Sequence, residues 1–204
     1  MAAIKNIIFD LGGVLIDIDY HKTAAAFKRL GVVNFDEQYS QAGADKLFEA
    51  LETGTIAEEE FYERMHTYCY PSTTWQQIED AWNEILLSFR PQSLQYLDEI
   101  KSRYNIFLLS NTNAIHKRAF DKILKKETGF NSLDHYFIKS YYSHIIQQRK
   151  PYEATYHYVL NDGGMLATET LFIDDSPVNI AGAHKVGLKT HLLLAGQQIE
   201  NLGL

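Results

Sequence analysis

The chain has 204 residues, a formal charge of −7 and one cysteine, Cys69. That length can bury a core without disulfide staples, and the acidic balance with no basic stripe excludes non-specific nucleic-acid binding, which needs a positive field to displace counterions. With no apolar leader after Met1, no stretch near the roughly 20 apolar residues of a membrane span and no possible intramolecular disulfide, a cytoplasmic protein is expected, without membrane or nucleic-acid partners and either monomeric or homodimeric.

In chain order, residues 4–9 form the first expected strand, a run of Ile and Phe that suits burial on both faces. From about 17 to 89 the pattern is helical, with no convincing strand, and reads as an inserted bundle. Asp19 is placed to cap a helix that ends at Gly31, and Thr55 with Glu58 has the spacing of a capping box. Trp75, Ile78, Trp82, Ile85 and Leu86 recur at helical spacing, and both tryptophans are expected in the bundle core. Strands then follow at 105–109, 136–142, 170–173 and 189–194, alternating with helices near 91–103, 112–126, 151–161 and 177–186. Pro91, Pro151 and Pro177 suit first helical turns, and Gly129 and Gly187 suit positions just past helix ends. Alternating strands and helices imply an α/β fold with a parallel sheet covered on both sides.

Ligands of open α/β sheets lie beyond the carboxyl ends of the strands. Four segments reach that edge with polar residues: Asp10-Leu11-Gly12-Gly13, Ser110-Asn111-Thr112-Asn113, Arg149-Lys150-Pro151 and Asp174-Asp175-Ser176. Each alone could be a turn or a helix cap. Together they bring three carboxylates to one place, where they repel unless a cation sits among them. Hard oxygen donors favour Mg²⁺, which shares its shell with a substrate phosphate. Lys150, the Ser110 hydroxyl and backbone N–H groups near Asn111 and the glycine-rich turn can then hold phosphate oxygens.

In order and context these four segments resemble the four motifs of the haloacid dehalogenase superfamily, over essentially the whole chain. Phe-Asp-Leu-Gly-Gly-Val, Leu-Ser-Asn-Thr-Asn, Arg-Lys-Pro and Phe-Ile-Asp-Asp are similar to its sugar-phosphate phosphatase branch, which includes α-glucose-1-phosphate phosphatases. The resemblance implies a Rossmann-like core (residues 1–16 and 90–204) with a small helical cap (17–89), and Mg²⁺-dependent hydrolysis of a small phosphorylated metabolite. It implies Asp10 as the nucleophile that becomes an aspartyl-phosphate. Asp10, the Gly12 carbonyl, Asp174 and Asp175 are then the metal ligands, with Asn179 in support. Ser110, Asn111 and Lys150 hold the phosphoryl group, Lys150 also orienting Asp10.

One position departs from the pattern. Most phosphatases of the superfamily carry a second Asp two residues after the nucleophile, as acid and base; here it is Gly12. Losing that function costs about 10²–10⁴ in rate. Gly12 therefore favours leaving groups that need little protonation, such as the anomeric oxygen of a sugar 1-phosphate, unless a neighbour such as Asp17 or a cap residue replaces the acid. Two alternatives stay open: a metal-independent dehalogenase, against which the Asp174-Asp175 pair argues, and a binding module on the same fold that has lost turnover. His116, His157 and His184 match no metal-ligand spacing and are expected at the surface. Phe48, Tyr62, Tyr68, Trp75 and Trp82 make the cap aromatic and are expected to include substrate-facing groups.

Overall fold

The computed structural model describes residues 3–33, 35 and 46–204. The first strand, β1 (Asn6–Phe9), is the centre of a five-stranded parallel sheet, with β4 (Asn105–Ser110) and then β5 (Lys139–Tyr142) on one side and β6 (Thr170–Asp174) and then β7 (Lys189–Leu192) on the other. Phe9 pairs with Leu108 and Ile173, and β4 runs two residues and β6 one residue beyond that level, to Ser110 and Asp174.

Strand periodicity of two sorts the central side chains into two layers. Ile7, Phe9, Ile106 and Leu108 face helices α5 (Pro91–Ile100) and α6 (Ala114–Thr128), where Leu94, Leu97, Phe120 and Leu124 complete the cluster. Ile8, Phe107, Leu109 and Phe172 face α8 (Glu153–Asp162) and α9 (Pro177–Lys185), meeting Tyr156, Val159 and Ala183. Both faces are covered, as the continuous apolar runs require. Pro91 and Pro177 occupy first turns, and Gly129 closes α6 at φ 85°. Pro151 does not begin its helix: α8 starts two residues later, at Glu153. Tyr136 and Phe137 precede β5, after a short 3₁₀ turn at Leu133–His135, and the one-turn helix α7 (Ser143–Ile146) follows it.

The segment between β1 and α5 holds α1 (Tyr20–Arg29), α2 (Lys46–Glu52), α3 (Glu58–His66) and α4 (Trp75–Asn83). Asp19 caps α1 by accepting from the His21 N–H. Phe27, Leu51, Phe61, Met65, Ile78 and Trp82 form a third apolar cluster, to which Ile115 of α6 is added from below. Three expectations need correction. Ala57, not Thr55, precedes α3; the Thr55 hydroxyl donates to the Ala50 carbonyl instead, and the capping box is Thr74 with Gln77 at α4. Trp75 is 45% exposed, stacked on Tyr62 at the outer face, so only Trp82 is core. The segment also contains strands: β2 (Ile16–Ile18) pairs antiparallel with β3 (Leu86–Phe89), joining its two ends. Leu86 is thus in a strand, because α4 stops at Asn83 and the chain must run back to the sheet. Residues 34 and 36–45 of the expected bundle lie outside the described residues. Among those described, no helix is long and apolar enough to cross a membrane.

Candidate active site

Asp10 follows β1 directly, its N–H donating to the Ile173 carbonyl at 2.9 Å, so the strand ladder fixes where the side chain begins. Its Oδ1 accepts from the Leu11 N–H at 2.7 Å and from Lys150 Nζ at 2.6 Å. Lys150 is 1% exposed and its Nζ also donates to Asp174 Oδ2 at 2.7 Å. Asp174, at the end of β6, is fully buried; it also accepts from the Ser176 N–H and, through both oxygens, from Asn179 Nδ2 at 3.0 Å. One buried ammonium thus bridges two buried carboxylates.

Burial is the main reason the Asp10 carboxyl is pushed up to about 7, with Lys150 opposing the rise and Asp174 adding to it. For Lys150 burial acts against the charge, but Asp10 and Asp174 outweigh it and hold the ammonium above its ordinary range. Burial and then Asp174 also raise the carboxyl of Asp175. Asp10, Asp174 and Asp175 each offer an oxygen within 4.8 Å of the others, an all-oxygen donor set that fits a hard divalent cation. Gly13 makes the approach of Asp175 possible: at φ +70° a Cβ there would lie 2.1 Å from Asp175 Oδ2.

The site residues expected from sequence come together. Asp10, Gly12, Ser110, Asn111, Lys150, Asp175 and Asn179 line one cavity of about 330 Å³, and buried Asp174 stands behind Lys150. The Asn111 side chain is engaged with Lys150. Its Oδ1 accepts from the Lys150 N–H and its Nδ2 donates to the Lys150 carbonyl, both at 2.9 Å, so its amide is committed to placing Lys150. Asp17 is not in the cavity wall: it pairs with Arg90 at 2.8 Å. At Gly12 a Cβ would come within 3.3 Å of Ile18 Cδ1, so an apolar side chain crowds the place of the missing acid.

Sequence reasoning missed several wall residues. Of the five aromatic cap residues only Phe48 lines the cavity, while Tyr20, Glu49, Glu52 and Arg149 also do. Arg149 was legible beside Lys150; the two glutamates had no signal beyond helical spacing from each other. His157 and His184 are exposed, but His116 is 9% exposed and lines the cavity floor. It stacks on Trp82 with centroids 4.8 Å apart. Nε2 lies 3.0 Å from the Trp82 carbonyl and Nδ1 3.2 Å from Asn113 Nδ2. A neutral ring with its proton on Nε2 satisfies both contacts.

Residues 7–193 match the sequence model of a family described as haloacid dehalogenase-like hydrolase. The chain belongs to that family. Among curated relatives of this haloacid dehalogenase-like chain is a D-ribitol-5-phosphate phosphatase from Bacteroides thetaiotaomicron, 31% identical over 191 residues, which cover 92% of this chain and 90% of that protein. A crystal structure of a haloacid dehalogenase family enzyme from the same organism, an aspartate-to-alanine mutant in complex with magnesium and inorganic phosphate, is 32% identical. It superposes with a TM-score of 0.92 over 99% of this chain and 100% of its own. A predicted haloacid dehalogenase-like hydrolase from Porphyromonas gingivalis is 34% identical with a TM-score of 0.88, covering 99% of this chain and 97% of its own.

Proposed function

We propose that this chain is a Mg²⁺-dependent phosphatase acting on a small sugar or polyol phosphate, with Asp10 as nucleophile. The observation that carries the reading is the Asp10–Lys150–Asp174 bridge beside Asp175: a buried nucleophile, a buried ammonium and an oxygen-rich cation site on one sheet edge. Such a charge cluster is costly to bury and has a use where a phosphoryl group and a metal meet. The relative named as a D-ribitol-5-phosphate phosphatase and the magnesium and phosphate complex of a family enzyme support the same substrate class and cation.

Asp10, Asp175 and the Gly12 carbonyl would hold the Mg²⁺, with Asp174 behind them. Bound there, it neutralises charge on the phosphoryl group and on the carboxylates. Lys150 holds Asp10 in position and offers positive charge to the transferring oxygens, aided by the Ser110 hydroxyl and the Asn111 backbone N–H. The Asp10 carboxylate attacks phosphorus as the ester oxygen leaves, and water then releases phosphate from the aspartyl-phosphate. Core residues 1–16 and 90–204 carry this chemistry, and the cap, 17–89, covers it. The sole cysteine supports a cytoplasmic setting.

The direct test is phosphate release from sugar phosphates, polyol phosphates and p-nitrophenyl phosphate, with Mg²⁺ or EDTA, by wild type and Asp10→Asn. Release is expected only with Mg²⁺ and only from wild type; activity surviving in Asp10→Asn would sink the assignment. Gly12 supports a finer preference for sugar 1-phosphates, which a single-turnover comparison with 6-phosphates measures; equal rates count against it.

A further inference from the structure

In-line displacement at phosphorus sends the ester oxygen away on the side opposite the attacking atom. With Asp10 attacking from the sheet edge, that oxygen departs towards the segment between β1 and α5, which forms the facing wall of the cavity. An oxygen that belongs to a sugar or polyol carbon needs a proton as it leaves. Position 12 cannot supply it: Gly12 has no side chain, and Ile18 Cδ1 stands 3.3 Å from where its Cβ would be. Donors of the core wall have other partners. Lys150 bridges Asp10 and Asp174, the Asn179 amide serves Asp174, and His116 sits between Asn113 and the Trp82 carbonyl.

On the facing wall the choice is narrow. Among the described residues that line the cavity from this segment, Glu49 and Glu52 are carboxylates set against the Arg149 guanidinium, and all the others except Tyr20 are hydrocarbon. Tyr20 is thus the one side chain of that wall with an O–H or N–H to give. It opens α1 directly after the capping Asp19, at the point where the chain leaves the β2 strand. The residue is 51% exposed, so a substrate in the cavity can reach it. Its hydroxyl end lies inward. Burial first, then Asp175, Asp10 and Glu52, push the phenol up to about 12, with Lys150 opposing the rise. All four of those charged groups line the cavity, and a hydroxyl that feels each of them faces its interior.

We propose that Tyr20 is the general acid of this site, giving its phenolic proton to the departing ester oxygen in place of the side chain that Gly12 lacks. As the bond from Asp10 to phosphorus forms, the bond from phosphorus to the ester oxygen breaks. The electron pair stays on that oxygen, which takes the proton from Tyr20. In the second step the Tyr20 phenolate takes a proton back from the water that attacks the aspartyl-phosphate, releasing phosphate and restoring the Asp10 carboxylate. The inference rests on the phosphatase reading above and adds the group that serves leaving oxygens poorer than an anomeric one. A phenol is a weaker acid than a carboxylic acid, so the preference that Gly12 supports is reduced and not abolished.

The test is Tyr20→Phe, which removes one oxygen and keeps the ring. With Mg²⁺ present, kcat/KM is measured for D-ribitol 5-phosphate, phenyl phosphate and p-nitrophenyl phosphate, whose leaving oxygens need progressively less protonation. General acid catalysis contributes about 10²–10⁴ in rate, so the variant should lose about 100-fold or more on the polyol ester and less than about threefold on p-nitrophenyl phosphate, with phenyl phosphate between. A general loss of folded enzyme or of Mg²⁺ binding lowers all three together, and such a parallel fall overturns the inference. So does a variant as active as wild type on the polyol ester. If wild type cleaves only the aryl esters, the ratio between those two decides in the same way. A wild type inert towards every ester overturns the phosphatase reading as well.

Discussion

His116 gives the sharpest pH prediction. Its ring is stacked on Trp82 and satisfied on both nitrogens in the neutral form, and burial pushes its pKa down to about 4, the bond to the Trp82 carbonyl opposing the fall. An unfolded chain holds the same imidazole near 6.5. Between those values the unfolded state binds the extra proton, so the contribution of His116 is fully present above about pH 6.5 and is lost as pH falls towards 4. The full difference is about 3 kcal/mol, and linkage at pH 5 takes about 2 kcal/mol of it. Urea unfolding at pH 7.5 and pH 5 should therefore show a loss of about that size in wild type beyond the loss in His116→Gln, whose side chain does not titrate. NMR titration of the ring gives an independent check. A His116 that titrates near 6.5 in the folded protein, or a variant with the same pH dependence as wild type, refutes the reasoning.

Two further outcomes follow from the bridge and the turn. Lys150→Met leaves Asp10 and Asp174 buried without their shared cation and should destabilise the metal-free protein by about 3–5 kcal/mol, read from urea unfolding. Gly13→Ala places a methyl group against Asp175 Oδ2 in a left-handed backbone conformation, and calorimetry should show Mg²⁺ affinity reduced by about 10–100-fold. Unchanged affinity would mean that Asp175 is not a ligand.

The sheet and the meeting of Asp10, Lys150 and Asp175 were legible because strand patterning is local and the fold rule for strand ends then supplies the long-range step. What escaped depends on contacts between distant segments. Leu86–Phe89 is a short apolar run, the length at which strand and helix look alike, and only its pairing with Ile16–Ile18 makes it a strand. His116 sits one position after Ile115 on the face that meets Trp82, a contact across 34 residues that periodicity does not reveal. The amide of Asn111 is drawn to Lys150 by a reciprocal pair of backbone bonds that depends on where the 149–151 loop returns. Glu52 looks like any helix-surface glutamate until Arg149 is brought against it.

The β2–β3 ribbon also bears on how such a protein could diversify. Because the strands that lead into and out of the helical segment run side by side, with Ile18 opposite Leu86, the segment leaves the sheet and returns to it at nearly one point. To the sheet, everything between those two residues is the loop of a single hairpin, a connection that in its shortest form needs only a two-residue turn. Insertions, deletions or wholesale replacement there leave the positions of Asp10, Lys150 and Asp174 defined by their own strands and loops. The helical segment is therefore free to change at a different pace from the sheet edge that carries Asp10, Lys150 and Asp174.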